Sequence, residues 1–179
     1  MTEQDTPLEN LLGMAAEMLP AYTNWPERLL ALMHGTPTPT GIWRTRKIPD
    51  AMVGWPIAMH AGTNVAGCNH PMEGLHKVKA FAESMRRAGV QIDLTFERAV
   101  EATKAIHGIV VPLQSMPADE AQGAQYRDIG FDRYWIPLAQ VWRFKKPVPR
   151  TGGHRGIFYL DEQTRAECVE ALRTATRVL

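Results

Sequence analysis

The hydrophobic pattern changes period several times along the chain, and each change marks an element. From Leu8 to Leu19 apolar residues recur at helical spacing, with Thr6 as N-cap and Pro7 in the first turn. Pro20 ends that helix. Asn24-Trp25-Pro26-Glu27 repeats the cap-then-proline signal and predicts a second helix to about Met33. Thr36-Pro37-Thr38-Pro39-Thr40-Gly41 then predicts an extended loop, since proline at alternate positions suits neither helix nor central strand. Ile42 to Lys47 is predicted as a strand, placing Arg44 and Arg46 on one face and Trp43, Thr45 and Lys47 on the other. The short apolar run Pro56 to Ala61 predicts a buried strand.

Glu73 to Ala88 has the spacing of an amphipathic helix, closed by Gly89. A further helix follows to about Lys104, capped by Asp93 or Thr95. Ile106 to Leu113 is the clearest strand, and Ser115 to Asp128 is polar and irregular. Tyr134 to Phe144 predicts a strand in which Pro137 marks an edge or bulge. Gly156 to Leu160 predicts another, after which Asp161 caps a final helix to Val178. Helices and strands come in runs rather than in alternation, which predicts an α+β fold. Short strands punctuated by Gly and Pro suggest a small, curled, barrel-like sheet flanked by helices.

Composition narrows this further. The chain has 179 residues, 45% of them hydrophobic and 22% charged, as expected of one globular domain. No apolar run reaches membrane-spanning length, and the acidic, polar N-terminus is unlike a secretory signal. Cys68 and Cys168 stand far apart and suggest no disulfide framework, so the cytoplasm is the expected compartment. The net charge of +1 is uninformative, but its distribution is not. Arg133 to Leu160 contains no acid, and Trp43 to Met72 contains only Asp50 against Arg44, Arg46 and Lys47. Segregated charge of this kind can turn a positive surface toward an anionic ligand.

Four segments in order resemble the ASCH domain, a branch of the PUA-like β-barrels. They are Trp25 with the helix to Leu32; Trp43-Arg44-Thr45-Arg46 followed by Val53-Gly54-Trp55-Pro56-Ile57-Ala58-Met59-His60-Ala61; Ala105-Ile106-His107-Gly108-Ile109-Val110-Val111; and Tyr134-Trp135 through Val141, with Lys146-Pro147-Val148-Pro149-Arg150 and the glycine turn to Phe158. The resemblance implies a PUA-like fold over residues 23–160, an N-terminal extension over 1–22 and a C-terminal helix over 161–179 packed on the same domain. It also implies an RNA, nucleotide or modified-base ligand. The family typically has Lys-x-x-Glu/Thr-x-Arg on the first strand, and some relatives use that Lys and Thr, with a distant acid, to hydrolyse amide-bearing nucleosides. Here Gly41 and Arg44 stand at those places and only the Arg, Arg46, is kept. The resemblance therefore points toward binding before catalysis.

Arg44 and Arg46 on one strand face suit bidentate capture of phosphate oxygens. The plain alternative is a pair of surface arginines bound to helix acids such as Glu73 or Glu101. His60, before Ala61-Gly62, can donate to phosphate or work as an acid or base, or be a core histidine bonded to a carbonyl. The expected ligand-binding set is Trp43, Arg44, Arg46, Lys47, His60, Asn64, Lys146, Arg150 and Arg155. Lys145, Lys146, Arg150 and Arg155 would form a second basic wall, or else a solvated loop. Among Trp43, Trp55, Trp135 and Trp142, the first two are the candidates for base stacking. If the protein is an enzyme, a metal-independent ribonuclease or nucleoside amidohydrolase, His60 or Lys47 would be the base and Arg46 the electrophilic stabiliser. Glu73 or Glu101 would then supply a carboxylate. A third reading is a protein-binding regulator or phage-type inhibitor. Cys68, His70 and His76 lack a standard metal-site spacing, so neither metal nor cofactor is expected.

Overall fold

A computed structural model describes residues 5–128, 131–154 and 156–179. The elements in chain order are α1 (Leu8–Glu17), β1 (Pro20–Asn24), α2 (Pro26–His34), β2 (Gly41–Arg44), β3 (Ile57–Ala61), α3 (Pro71–Arg87), α4 (Phe96–Glu101), β4 (Ala105–Pro112), β5 (Met116–Pro117), β6 (Tyr134–Pro149), β7 (Ile157–Tyr159), α5 (Glu162–Arg173) and β8 (Thr176–Arg177). The fold is α+β, as the run-wise order of elements predicts.

One sheet organises the molecule, with strand order β2-β6-β4-β3-β1-β7; β5 and β8 also pair with β6. All pairings are antiparallel except β1 with β3. The long β6 changes partner along its length. Tyr134 to Pro137 pair with β2, whereas Leu138 to Pro149 pair with β4. Register shifts interrupt β3–β4 at Met59/His60 and β4–β6 at two places. Such irregularities bend a sheet and raise its local twist.

Both faces of the sheet are covered. On one, Leu11 and Ala15 of α1 and Cys168 and Leu172 of α5 pack with Ala58, Ile106, Ile109 and Trp142. On the other, Leu29, Leu32 and Met33 of α2 pack with Ile57, Met59, Val110, Ile136 and Val141. A smaller cluster joins Leu30 of α2 to Val78 of α3 and Ala99 of α4.

Several expectations are corrected. After Pro20, where the sequence marks only the end of a helix, the chain forms β1, because Ala21 to Asn24 pair in parallel with Ala58 to Ala61. Only that distant partner makes so short a segment a strand, so local pattern does not reveal it. The first basic strand ends at Arg44, and Thr45-Arg46 is a bend. The Pro-x-Pro stretch after Phe144 is strand rather than turn: β6 runs on to Pro149, and Val148 and Pro149 pair with Ile106 and Ala105. The last helix stops at Arg173, after which Thr176–Arg177 returns to pair with Trp142 and Arg143.

Candidate functional site

A cleft of about 450 Å³ opens where the end of β1, the end of β2 and the turn after β3 meet the glycine turn before β7. Tyr22, Thr23 and Trp25 come from β1 and its exit. Arg44, Thr45 and Arg46 come from β2 and its bend. Gly62, Thr63 and Asn64 follow β3, and Phe131, Gly153, His154 and Gly156 complete the lining. The parallel β1–β3 pair brings the first and third groups side by side, with Thr23 in register with His60.

Arg44 dominates the electrostatics. Its residue is only 5% exposed. Its guanidinium carbon lies 4.1 Å from the centre of the Tyr22 ring, a stacking distance. Among the described residues no carboxylate forms a salt bridge with it, and its Nη1 is buried without a hydrogen-bond partner. A buried charge without a partner is costly, and buried polar groups are almost always bonded.

Thr23 and His60 form a second polar element. The Nε2 of His60 lies 3.2 Å from the Arg150 carbonyl oxygen, and its Nδ1 lies 3.1 Å from the Thr23 hydroxyl. A carbonyl only accepts, so Nε2 carries the proton and Nδ1 is the acceptor for the Thr23 hydroxyl. Burial lowers the His60 pKa below its usual value, and the bond to the Arg150 carbonyl opposes this. Neutral His60 therefore fixes the direction of the Thr23 hydrogen bond. Gly153 roofs the couple: a Cβ there would sit 2.7 Å from the Thr23 hydroxyl and 2.9 Å from the His60 ring, too close for any side chain.

Trp25 separates this cleft from a smaller one of about 310 Å³, lined by Glu27, Arg28, Ala66, Lys77, Phe81, Ser84, Arg127 and Asp128 among others. Arg28 sits there against the Trp25, Phe81 and Phe131 rings, at 4.1, 5.2 and 4.6 Å. It donates to both carboxylate oxygens of Asp128 and, at 2.6 Å, to Glu27. Glu27 also accepts from the Ala66 N–H at 3.0 Å. Burial raises the Glu27 pKa, against the opposing pull of Arg28.

The sequence-predicted residues scatter more than expected. Arg44, Arg46 and Asn64 line the cleft. His60 is fully buried one layer behind it and reaches it only through Thr23. Trp43 does not stack on a ligand surface: it is 2% exposed, packs on Trp135 and donates its indole N–H to the Tyr126 carbonyl. It is buried because its strand partner is Trp135 of β6. Trp55 donates to the Met18 carbonyl at 3.0 Å and lies outside the cleft lining. Lys47 stands 5.8 Å from the Tyr134 ring centre, also outside the lining. Lys146 lies beside Lys145, Glu167 and Glu170 on a different surface. Arg150 pairs with Asp161, the N-cap of α5, at 3.1 Å, so its side chain is directed away from the role expected of it. Arg155 lies outside the described residues. The expected second wall is supplied instead by Gly153 and His154 of the same segment. Glu73 pairs with Lys77 on α3 rather than with either arginine.

Tyr22, Thr23, Trp25 and Phe131 were not predicted as site residues. Their only sequence signal is the small-polar step Tyr22-Thr23-Asn24 before a Trp-Pro helix start.

No protein-family model matches the chain, and no curated protein matches it. Among solved structures it is similar to a crystal structure of ASCH from Zymomonas mobilis, at 11% sequence identity and a TM-score of 0.47, over 88% of this chain and 96% of that one.

Proposed function

We propose that the protein binds a phosphate-bearing ligand, a nucleotide or a segment of RNA, in the cleft between Arg44 and Thr63-Asn64. The observation that carries this reading is the Arg44 guanidinium, buried, stacked on Tyr22 and without a carboxylate partner among the described residues. A phosphate oxygen pair is the acceptor that best fits a guanidinium fork. Arg46, at the mouth, adds a second positive charge, and Trp25 offers an aromatic wall for a base. The motif resemblance to ASCH domains drawn from the sequence points to the same ligand class.

Binding is favoured over catalysis because of the three candidate catalytic groups, His60, Lys47 and Arg46, only Arg46 lines the cleft. His60 has both ring nitrogens engaged.

Calorimetric titration with inorganic phosphate, adenosine 5′-monophosphate and a short single-stranded RNA tests the reading. Arg44→Met keeps the stem packed on Tyr22 and removes the charge. It is expected to weaken all three by about 10- to 100-fold, the worth of a charge-assisted hydrogen bond. Unchanged affinity in this variant would remove the assignment.

A further inference from the structure

Arg44 recognises charge, but it does not tell one phosphate ester from another. The neighbouring Thr23 has a property that can. Thr23 lines the cleft, and its hydroxyl is held 3.1 Å from His60 Nδ1. His60 in turn is anchored by the Arg150 carbonyl at 3.2 Å from Nε2. The chain of roles runs one way. The carbonyl accepts, so Nε2–H donates; Nδ1 then accepts, so Thr23 O–H donates to it. What the hydroxyl has left for a ligand is lone pairs.

We infer that Thr23 is a hydrogen-bond acceptor in the cleft that selects a ligand carrying an amino or N–H donor beside its phosphate, and that His60 is the positioning residue that fixes this polarity. The inference rests on the phosphate-ligand reading above and adds to it which face of the ligand is read. Three further features support it. Thr23 and His60 are register partners on paired strands, so their contact is held by the sheet rather than by a loop. The His60 ring meets Phe158 edge-on at a centroid distance of 6.3 Å, which restricts its rotation. Gly153 places no side chain over the couple, where a Cβ would lie 2.7 Å from the Thr23 hydroxyl. Without partners that fix it, a threonine hydroxyl rotates to donate or accept and discriminates little. Here one half of that freedom is removed.

The inference also specifies how polarity reverses. If His60 gains a proton, Nδ1 becomes a donor, the Thr23 oxygen accepts from it, and the hydroxyl hydrogen is released toward the cleft. Among the described residues, the groups facing His60 are the Arg150 carbonyl and its guanidinium after β6, His107 on β4, Thr23 on β1 and Phe158 on β7. No carboxylate is among them to stabilise an imidazolium. The neutral state and the acceptor polarity therefore belong to neutral pH, and reversal to acid.

Adenosine and inosine 5′-monophosphates make the test. They share phosphate and ribose, but at position 6 one presents an amino donor and the other a carbonyl acceptor. Inorganic phosphate reports on the cationic groups, Arg44 and Arg46, without a base. The protein is titrated with all three between pH 5 and 8, about 1.5 units either side of the ordinary histidine value. Wild type is expected to prefer the adenosine ester by about tenfold at pH 8, as one well-made hydrogen bond against one unsatisfied group allows. The preference should shrink or invert toward pH 5 while the ratio is taken at each pH, so that the shared phosphate titration cancels. Thr23→Val removes the acceptor at nearly constant shape and should abolish the preference. His60→Asn, whose amide oxygen can still accept from Thr23, should keep the preference and lose its pH dependence. A Thr23→Val protein that still prefers the adenosine ester overturns the inference, as does a wild type with equal affinity for both esters. A wild type that binds none of the three overturns the phosphate reading itself, an outcome separate from the other two.

Discussion

Two buried arginines, each stacked on aromatic rings, sit on either side of Trp25 and differ in one respect. Arg28 lies against Trp25, Phe81 and Phe131 and is closed off by Asp128 and Glu27. Arg44 lies against Tyr22 and has no carboxylate among the described residues. The first has each guanidinium nitrogen bonded to a carboxylate and acts as a clasp between α2 and the segment around Asp128. The second is stacked on one ring, and its Nη1 is buried without a hydrogen-bond partner. Aromatic stacking orients a guanidinium in both places; only Arg28 has its anion among the described residues.

The comparison is broken most severely by removing the acid from Arg28. Asp128→Ala leaves a buried cation and is expected to cost about 3–5 kcal/mol of unfolding free energy, read by urea denaturation. Arg44→Met should do the reverse: stability is expected to hold or rise by about 1–2 kcal/mol, because the fold loses an uncompensated charge, even as phosphate affinity falls. If Arg44→Met destabilises as strongly as Asp128→Ala, the two arginines are equivalent and the distinction fails.

The pH dependence gives a smaller effect. Burial lowers the pKa of His60 and His107, and burial with the nearby Arg143 takes His34 to about 4. Each of these histidines binds fewer protons folded than unfolded, so each contributes stability above its ordinary value near 6.5 that is lost as pH falls through its lowered value. Glu27 has the opposite sign: its raised pKa contributes stability at low pH that is lost as pH rises through it. Three histidines outweigh one carboxyl, and the urea midpoint should decline from pH 7 toward pH 5, a range set by the ordinary histidine pKa of about 6.5. His107→Gln should flatten that decline by at most about 1.4 kcal/mol per pH unit, the limit for one proton. The smallest effect is expected from Lys146→Ala. Its surface is shared with Glu167 and Glu170, and affinity for inorganic phosphate should change by less than about twofold.

Local signals made much of this molecule legible in advance. The α+β class, the helix at Pro71–Arg87, the strand at Ala105–Pro112 and the cap at Asp161 all follow from periodicity and end residues. The cleft between Arg44-Arg46 and the turn after β3 also follows, because basic residues concentrate there. What was not legible depends on partners distant in sequence. β1 is a strand only because β3 lies beside it, so Tyr22 and Thr23 carry no local mark of their place in the cleft. Trp43 looks like a stacking platform until Trp135 covers it. Arg150 looks like a phosphate ligand until Asp161, in the next helix cap, takes it. In each case charge or aromaticity indicates what a side chain can do, and tertiary pairing decides whether it is free to do it.

The parallel pairing of β1 with β3 has a consequence for quality control of the fold. Two parallel neighbours need a long crossover, and here that crossover carries Trp25, α2 and Arg44. Closing it is among the costlier steps of assembly, since non-local pairing has a loop entropy to overcome before contacts offset it. A slip of one residue between the strands would also turn Thr23 and His60 to opposite faces. The cleft is thus complete only in a chain whose crossover has closed in the right register.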